Sequence, residues 1–139
     1  MLLGFKPRFR DPILIGTKVF TMRNKRKHEV KIGETLYMYT GLRTSNCMKI
    51  SDKEKVISKQ KVRLTIIAEP NIILLKIYVD GRKLTEKEIS EFVKFDGFTG
   101  QVDFVEYWIK SSTGKPRKKS GYYRIGGWLD LYHWTDLKY

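Results

Sequence analysis

Apolar and polar residues alternate most cleanly over Thr35–Thr40, where Leu36 and Met38 oppose Tyr37 and Tyr39, the period of a half-buried strand. Val62–Ala68 predicts a second such strand, broken before Pro70. Ile72–Val79 predicts a third, and the Asp80-Gly81 pair after it is a strong type I′ hairpin signal. Leu2–Phe9 opens as a strand that Pro7 limits to an edge or opening position, with Lys6, Arg8 and Arg10 on one side by its period of two. Near the other end, Tyr122–Ile125 and Trp128–Trp134 return to strand around Gly126-Gly127, which permits a bend or bulge. Trp128, Tyr132 and Trp134 share a face there, read first as closing the core, while an exposed Tyr37, Tyr39, Tyr122 or Trp128 is the alternative that offers a face for base stacking.

Helical spacing is found in three places. Asp11 suits an N-cap and Pro12 the first helical position, with Ile13, Leu14 and Ile15 as a buried turn and Gly16 as a left-handed cap. Thr85-Glu86-Lys87-Glu88 matches a capping box ahead of Ile89, Phe92 and Val93, and Gly97 ends that helix. Gln101–Lys110 places Val102, Val105, Trp108 and Ile109 on one face. Between these elements lie polar stretches: the basic loop Asn24–His28, the Gly41–Thr44 turn, and the highly charged Lys49–Lys61, read as a loop or long hairpin extension. Ser111–Gly121, with the basic run Gly114–Lys119, is read as an exposed loop. Many strands with a few short helices, and neither repeat nor linker, predict one α+β domain over 1–139: a small mixed β-barrel with short peripheral helices.

Charge changes the picture more than composition does. Hydrophobic residues make up 41% of the 139, enough for a core, but 28 Lys and Arg face 15 Asp and Glu, a net +13. That surplus on one small domain attracts polyanions before any specific contact forms, so nucleic acid leads the partner classes. No amphipathic basic helix points to a membrane surface, and no apolar run nears the ~20 residues of a membrane span. Cys47 is the one cysteine, so no internal disulfide forms; Met1–Phe5 is too short for a signal-peptide core. A cytoplasmic protein is expected.

The candidate chemistry collects in Gly16-Thr17-Lys18-Val19-Phe20-Thr21-Met22-Arg23. If Val19 onward is a strand, Val19, Thr21 and Arg23 share one face while Lys18 stands at the helix–strand corner. Lys18, Thr21 and Arg23 are then expected around one polar concavity. A structural role is the plainer alternative, with Thr21 bonded to backbone and Lys18 and Arg23 holding the corner through carboxylates. His28, His133 and Cys47 are too scattered for a zinc-ligand pattern, and no phosphate-binding loop or dinucleotide fingerprint is present, so no cofactor is expected.

This octapeptide after a short helix resembles the signature of the ASCH domain family, a branch of the PUA-like superfamily of small β-barrels. The resemblance extends from about Phe9 to about Trp108, through a Lys31-Ile32-Gly33-Glu34 turn before a hydrophobic strand and a helix ending in Asp96-Gly97-Phe98. It implies a PUA-like barrel that handles RNA or modified bases. Some small ASCH proteins are amidohydrolases of 4-acetylcytidine, in which a lysine activates a threonine three residues later and a downstream acid completes the set. Residue by residue, the resemblance implies Lys18 and Thr21 for the first two and Asp96 for the acid, where those enzymes carry a glutamate. An aspartate is one methylene shorter, and an acid beside Lys18 favours the charged ammonium over the free base.

Three functions stay open on the sequence. The first is binding of RNA or a nucleoside in a cleft lined by Lys18, Thr21, Arg23 and Asp96, joined by Arg43, with Arg8, Arg10, Lys25, Arg26, Lys27, Lys115, Arg117, Lys118 and Lys119 tracking a phosphate backbone. If about six cations meet phosphates, counterion release gives a log–log salt slope of roughly −4 to −5 on single strands. The second is deacylation by Lys18, Thr21 and Asp96; the third, a basic accessory role on a protein or ribonucleoprotein. The sequence does not fix the RNA, the base or the oligomeric state.

Overall fold

A computed structural model describes residues 1–69, 71–110, 116–119, 122–125 and 128–139, with 68–69, 116–119 and 122–125 described by their backbone alone. The chain runs β1 (Leu2–Phe5), a 3-10 turn (Pro7–Phe9), α1 (Arg10–Ile15), β2 (Phe20–Arg23), β3 (Tyr37–Thr40), β4 (Met48–Ser51), β5 (Ser58–Glu69) and β6 (Ile72–Val79). It continues with β7 (Arg82–Lys83), α2 (Glu86–Phe95), α3 (Gln101–Lys110), β8 (Pro116–Lys119), β9 (Tyr122–Ile125) and β10 (Leu129–His133).

The strands form two sheets rather than one closed barrel. A three-stranded sheet has the order β1-β3-β4, with β1 parallel to β3. A seven-stranded sheet runs β2-β10-β5-β6-β7, with the β8–β9 hairpin added to β5. The expected barrel closure is not found among the described residues: β1 pairs with β3 in the smaller sheet, and no ladder joins the two sheets. The α+β class holds.

Burial follows the alternation that the sequence carries. Val62, Leu64 and Ile66 on β5 and Leu75, Ile77 and Val79 on β6 are buried, forming the sheet face on which α2 and α3 pack. Asp80 and Gly81 both take positive φ, 50° and 83°, as a type I′ turn requires. The Thr85–Glu88 capping box closes in both directions and starts α2, which buries Ile89, Phe92 and Val93. Phe92 meets Phe20 with ring centroids 4.7 Å apart and Tyr139 at 5.2 Å, so Tyr139 packs against the same core.

Several expectations are corrected. The first strand stops at Phe5: Pro7, with its fixed φ and missing donor, opens a 3-10 turn, so Lys6, Arg8 and Arg10 do not share a strand face. Arg10 already begins α1, which leaves Asp11 inside the first turn instead of at the N-cap. Only Ile13 of that helix is buried; Leu14 and Ile15 face solvent, because six residues offer one inward position. On α3 the buried stripe is Phe104, Val105 and Trp108, turned so that Val102 is exposed. The charged 49–61 stretch is strand at both ends, within β4 and β5. Residues 116–119, expected in a loop, pair with β9. Trp128 stands out of the core at 44% exposure, whereas Tyr132 and Trp134 are buried. The expected bend at Gly126-Gly127 lies outside the described residues. Among the described residues no helix is long and apolar enough to cross a membrane.

One polar cluster ties Tyr139 to the sheet. The Gln60 amide nitrogen donates to Asp80 Oδ2 at 3.0 Å and to the main-chain oxygen of Tyr139. Its carbonyl oxygen therefore faces Tyr139 N, at 2.9 Å, and His133 Nε2, at 3.0 Å. That arrangement makes Nε2 the protonated nitrogen of His133 and leaves Nδ1 buried without a partner among the described residues. A second proton would sit on Nδ1 with nothing to accept it, and burial pushes the His133 pKa down to about 4. The folded-state value lies below the unfolded one, so the stability is present above pH ~6.5 and lost as pH falls towards 4. Denaturant titrations of the wild type should lose about 3 kcal/mol over that window, at about 1.4 kcal/mol per pH unit. His133→Asn, which cannot titrate, should lack this component of the slope; an identical pH profile would refute the assignment.

Candidate functional site

Gly16 takes φ 87° and ends α1, and Thr17 N and Lys18 N both donate to Pro12 O, at 2.9 and 3.0 Å. The chain is thereby reversed into β2, with Val19 N bonded to Phe95 O at 2.9 Å. That backbone contact sets the corner against the end of α2. From it the Lys18 side chain reaches Asp96, donating from Nζ to Oδ1 at 2.6 Å and to the main-chain oxygen at 2.8 Å. Gly97 follows at φ 92°, and a Cβ there would stand 3.1 Å from Phe9 and 3.2 Å from Lys18. Glycine is needed both for the turn and for that close approach.

Thr21 and Arg23 project from the same face of β2. Arg23 Nε donates to Thr21 Oγ1 at 3.1 Å, and another guanidinium nitrogen donates to Gly4 O at 2.8 Å, tying β2 to β1. Rings surround these cations. Lys18 Nζ lies 4.8 Å from the centroid of Phe9 and 5.8 Å from that of Phe5, and the Arg23 guanidinium carbon lies 4.8 Å from Phe5. Above them Arg8 reaches over Phe9, Phe98 and Tyr107 at 5.0–6.0 Å and pairs with Asp103 at 2.6 Å. The result is a cleft of about 760 Å³ at the seam between β1, β2 and α3, with Lys18, Thr21 and Asp96 at its floor and Arg8 at its rim.

Burial governs the electrostatics of that floor. Lys18 is 3% exposed, and the loss of hydration pushes its pKa down; the nearby Asp96 charge opposes this, and Arg23 and Arg8 add to it. Loss of hydration likewise pushes Asp96 up, against the pull of Lys18 and Arg23. Both shifts oppose ionisation, and the pair carries zero net charge whether it is ammonium with carboxylate or amine with carboxylic acid. Tyr107 at the cleft wall is also raised, chiefly by burial.

Comparison with protein-family models, with curated proteins and with solved structures finds no match to this chain.

Lys18, Thr21, Arg23, Asp96 and Arg8 line the one cleft as a group. Lys18 and Thr21 are nevertheless not joined by a hydrogen bond: the amine is taken by Asp96 and the hydroxyl by Arg23. Arg43 does not join them. It takes a left-handed φ of 63° in the Gly41–Thr44 turn and faces solvent, while its neighbour Leu42 packs over Gly4 at the cleft edge. Arg10 points to solvent as well. Lys25, Arg26 and Lys27 line a separate groove of about 460 Å³ with Lys59, Lys61 and Tyr132. Lys115 lies outside the described residues; Arg117, Lys118 and Lys119 stand in β8, described by backbone alone. The sequence reading missed the ring wall of Phe5, Phe9 and Tyr107 and the partner Asp103. The Thr99-x-x-x-Asp103 spacing was the available signal for the last: Asp103 accepts from Thr99 N at 3.0 Å and so opens α3.

Removing one half of the buried pair should cost more than removing both. Lys18→Met leaves a lone carboxyl in a dry site and should destabilise by about 3–5 kcal/mol in denaturant titration at neutral pH, with Lys18→Met/Asp96→Leu costing less. In the single variant Asp96 has a raised folded-state pKa, so its stability should recover as pH falls and decline as pH rises through that value. A double variant less stable than Lys18→Met would contradict the pair's description.

Proposed function

We propose that the chain binds RNA, or a nucleoside-like group, in the cleft between β1, β2 and α3. The observation that carries this is the composition of the cleft: a buried, net-neutral Lys18–Asp96 pair at the floor, aromatic walls, and the guanidinium of Arg8 at the mouth. A nucleobase is a neutral planar ring whose edge alternates donors and acceptors. Rings offer it their faces or edges, and the ammonium–carboxylate pair offers adjacent donor and acceptor atoms. The volume falls in the range of small-molecule sites, about 300–1,000 Å³. Arg8 is exposed enough to exchange Asp103 for a phosphate. The ASCH-type, PUA-like reading of the fold belongs to the same proposal, supported by the octapeptide lying at this cleft.

A second reading, deacylation of a modified cytidine, is favoured by one observation: burial moves Lys18 towards the neutral amine that a general base must be. Thr21 Oγ would attack the acyl carbon while Lys18 takes its proton and returns it to the leaving amine; water would then hydrolyse the acyl-threonine. Against it stand the hydrogen bonds that already engage both groups.

Calorimetric titration with nucleoside monophosphates and with short unstructured RNAs tests the first reading. Arg8→Ala should weaken both and flatten the log–log salt slope by about 0.7, the share of one phosphate contact on a single strand. Thr21→Ala should leave affinity nearly unchanged. Release of acetate from 4-acetylcytidine that Thr21→Ala abolishes would instead establish the second reading, and no binding of any nucleotide would sink the first.

A further inference from the structure

The seven-stranded sheet gives one face to the helices; on the other stand Thr21 and Arg23 of β2, Asp130 of β10, Lys61 and Arg63 of β5, and Tyr78 of β6. Register draws part of this face into a row. Arg63 lies opposite Tyr78, and Tyr78 opposite Lys83 on β7. Leu129 pairs with Val62, which brings Trp128 level with Arg63 on the other side. Contacts agree: the Arg63 guanidinium carbon lies 5.3 Å from the centre of the Trp128 ring and 5.2 Å from that of Tyr78. Among the described residues Arg63 Nε is buried without a hydrogen-bond partner. Among the described residues neither Arg63 nor Lys83 has a carboxylate within 4.0 Å. The acid nearest in register, Asp130, is engaged by Lys61 and by the Tyr132 hydroxyl.

A row of this kind holds a guanidinium between two rings, carries uncompensated positive charge, and ends in an indole exposed at 44%. We propose that it is a stacking platform for single-stranded RNA, taking nucleotides that flank the one held in the cleft; this rests on the nucleic-acid reading of that cleft. The indole supplies a face for a base, and Arg63 and Lys83 supply cations for phosphates. An unpaired strand presents both at a regular interval, whereas a duplex hides its base faces in its own stack. The placement fits one strand serving both sites. Arg23 lies level with Asp130 and Lys61, and Arg63 is one pleat beyond Lys61 on the same face. With strands about 4.8 Å apart and a rise of about 3.3 Å per residue, Arg23 and Arg63 are separated by about 12 Å. Three or four stacked nucleotides at about 3.4 Å each cover that distance. The site therefore selects a nucleotide within a polymer over a free nucleoside.

Anisotropy of a labelled, unstructured short RNA, measured beside calorimetry with a nucleoside monophosphate, tests this. The RNA should bind at least about ten-fold more tightly than the monophosphate. Trp128→Ala should weaken the RNA about ten-fold or more and leave the monophosphate unchanged, with Trp128→Phe retaining most of the affinity. Lys83→Gln, at an exposed position of the two-residue β7, should lower the salt slope for RNA by about 0.7. RNA affinity unaltered by both Trp128→Ala and Lys83→Gln overturns the platform, as does equal affinity for duplex RNA. The cleft fails separately: a monophosphate that does not bind, with RNA still sensitive to Trp128→Ala, overturns the cleft alone. Absence of any RNA binding, with capture of an acidic protein in its place, overturns both.

Discussion

Lys18 and Asp96 are 78 residues apart in sequence, and their 2.6 Å contact joins the α1–β2 corner to the last turn of α2. The ammonium also meets the main-chain oxygen of Asp96, where the carbonyls at the end of a helix carry partial negative charge. A cation is favoured there by the helix as well as by the carboxylate, which helps to offset the loss of hydration around a side chain with almost no exposure. The other parts of the cleft take their positions from this junction. Gly97 turns the chain immediately after it, Phe98 and Tyr107 follow as wall, and Arg23 on β2 reaches back to β1.

A floor of this kind is polar without being charged overall, and that decides what can rest on it. A phosphate placed there would gain little from an ammonium already neutralised and would be repelled by the neighbouring carboxylate. A neutral ring with hydrogen-bonding edges meets no such penalty. On the proposed reading a phosphate would sit at the rim, where Arg8 is paired only with a partly exposed acid and exposed pairs contribute at most about 1 kcal/mol. On that reading the geometry separates the part of a ligand that would be recognised from the part that would merely be attracted.

Local rules carried much of this structure in the sequence. The capping box at Thr85, the Asp80-Gly81 turn and the glycines at 16 and 97 are short-range devices, and each is where backbone chemistry demanded it. The octapeptide located the cleft because a helix–strand corner forces its residues together whatever surrounds them. What stayed hidden was set by contacts between distant segments. Phe5 and Phe9 look like any strand or core residues until β1 is laid against β2, and the parallel β1–β3 pairing has no local signature. Leu14 and Ile15 were misjudged because hydrophobicity alone does not reveal that a six-residue helix buries one position. The burial of Trp128 was misjudged for the opposite reason: period two placed it with Tyr132, but β10 begins at Leu129 and the indole lies beyond the covered part of the sheet.

The positive surplus of 13 gains meaning once it is divided between surfaces. Exposed charges more than about 8 Å apart are screened at physiological salt, so a lysine on a distant loop affects arrival more than residence. Cations that line one continuous face behave differently, because a single bound strand can neutralise several of them and release their counterions together. Arg23 and Lys61 share such a face with Arg63 and Lys83, but Arg23 is engaged with Gly4 and Thr21, and Lys61 with Asp130. Among the described residues Arg63 and Lys83 have no carboxylate within 4.0 Å, and the indole beside Arg63 is exposed. Contacts to phosphate position a strand and contacts to bases specify it. Under the proposed RNA reading, the first kind would fall to the sheet face and the cleft rim, and the second to the buried pair at the cleft floor.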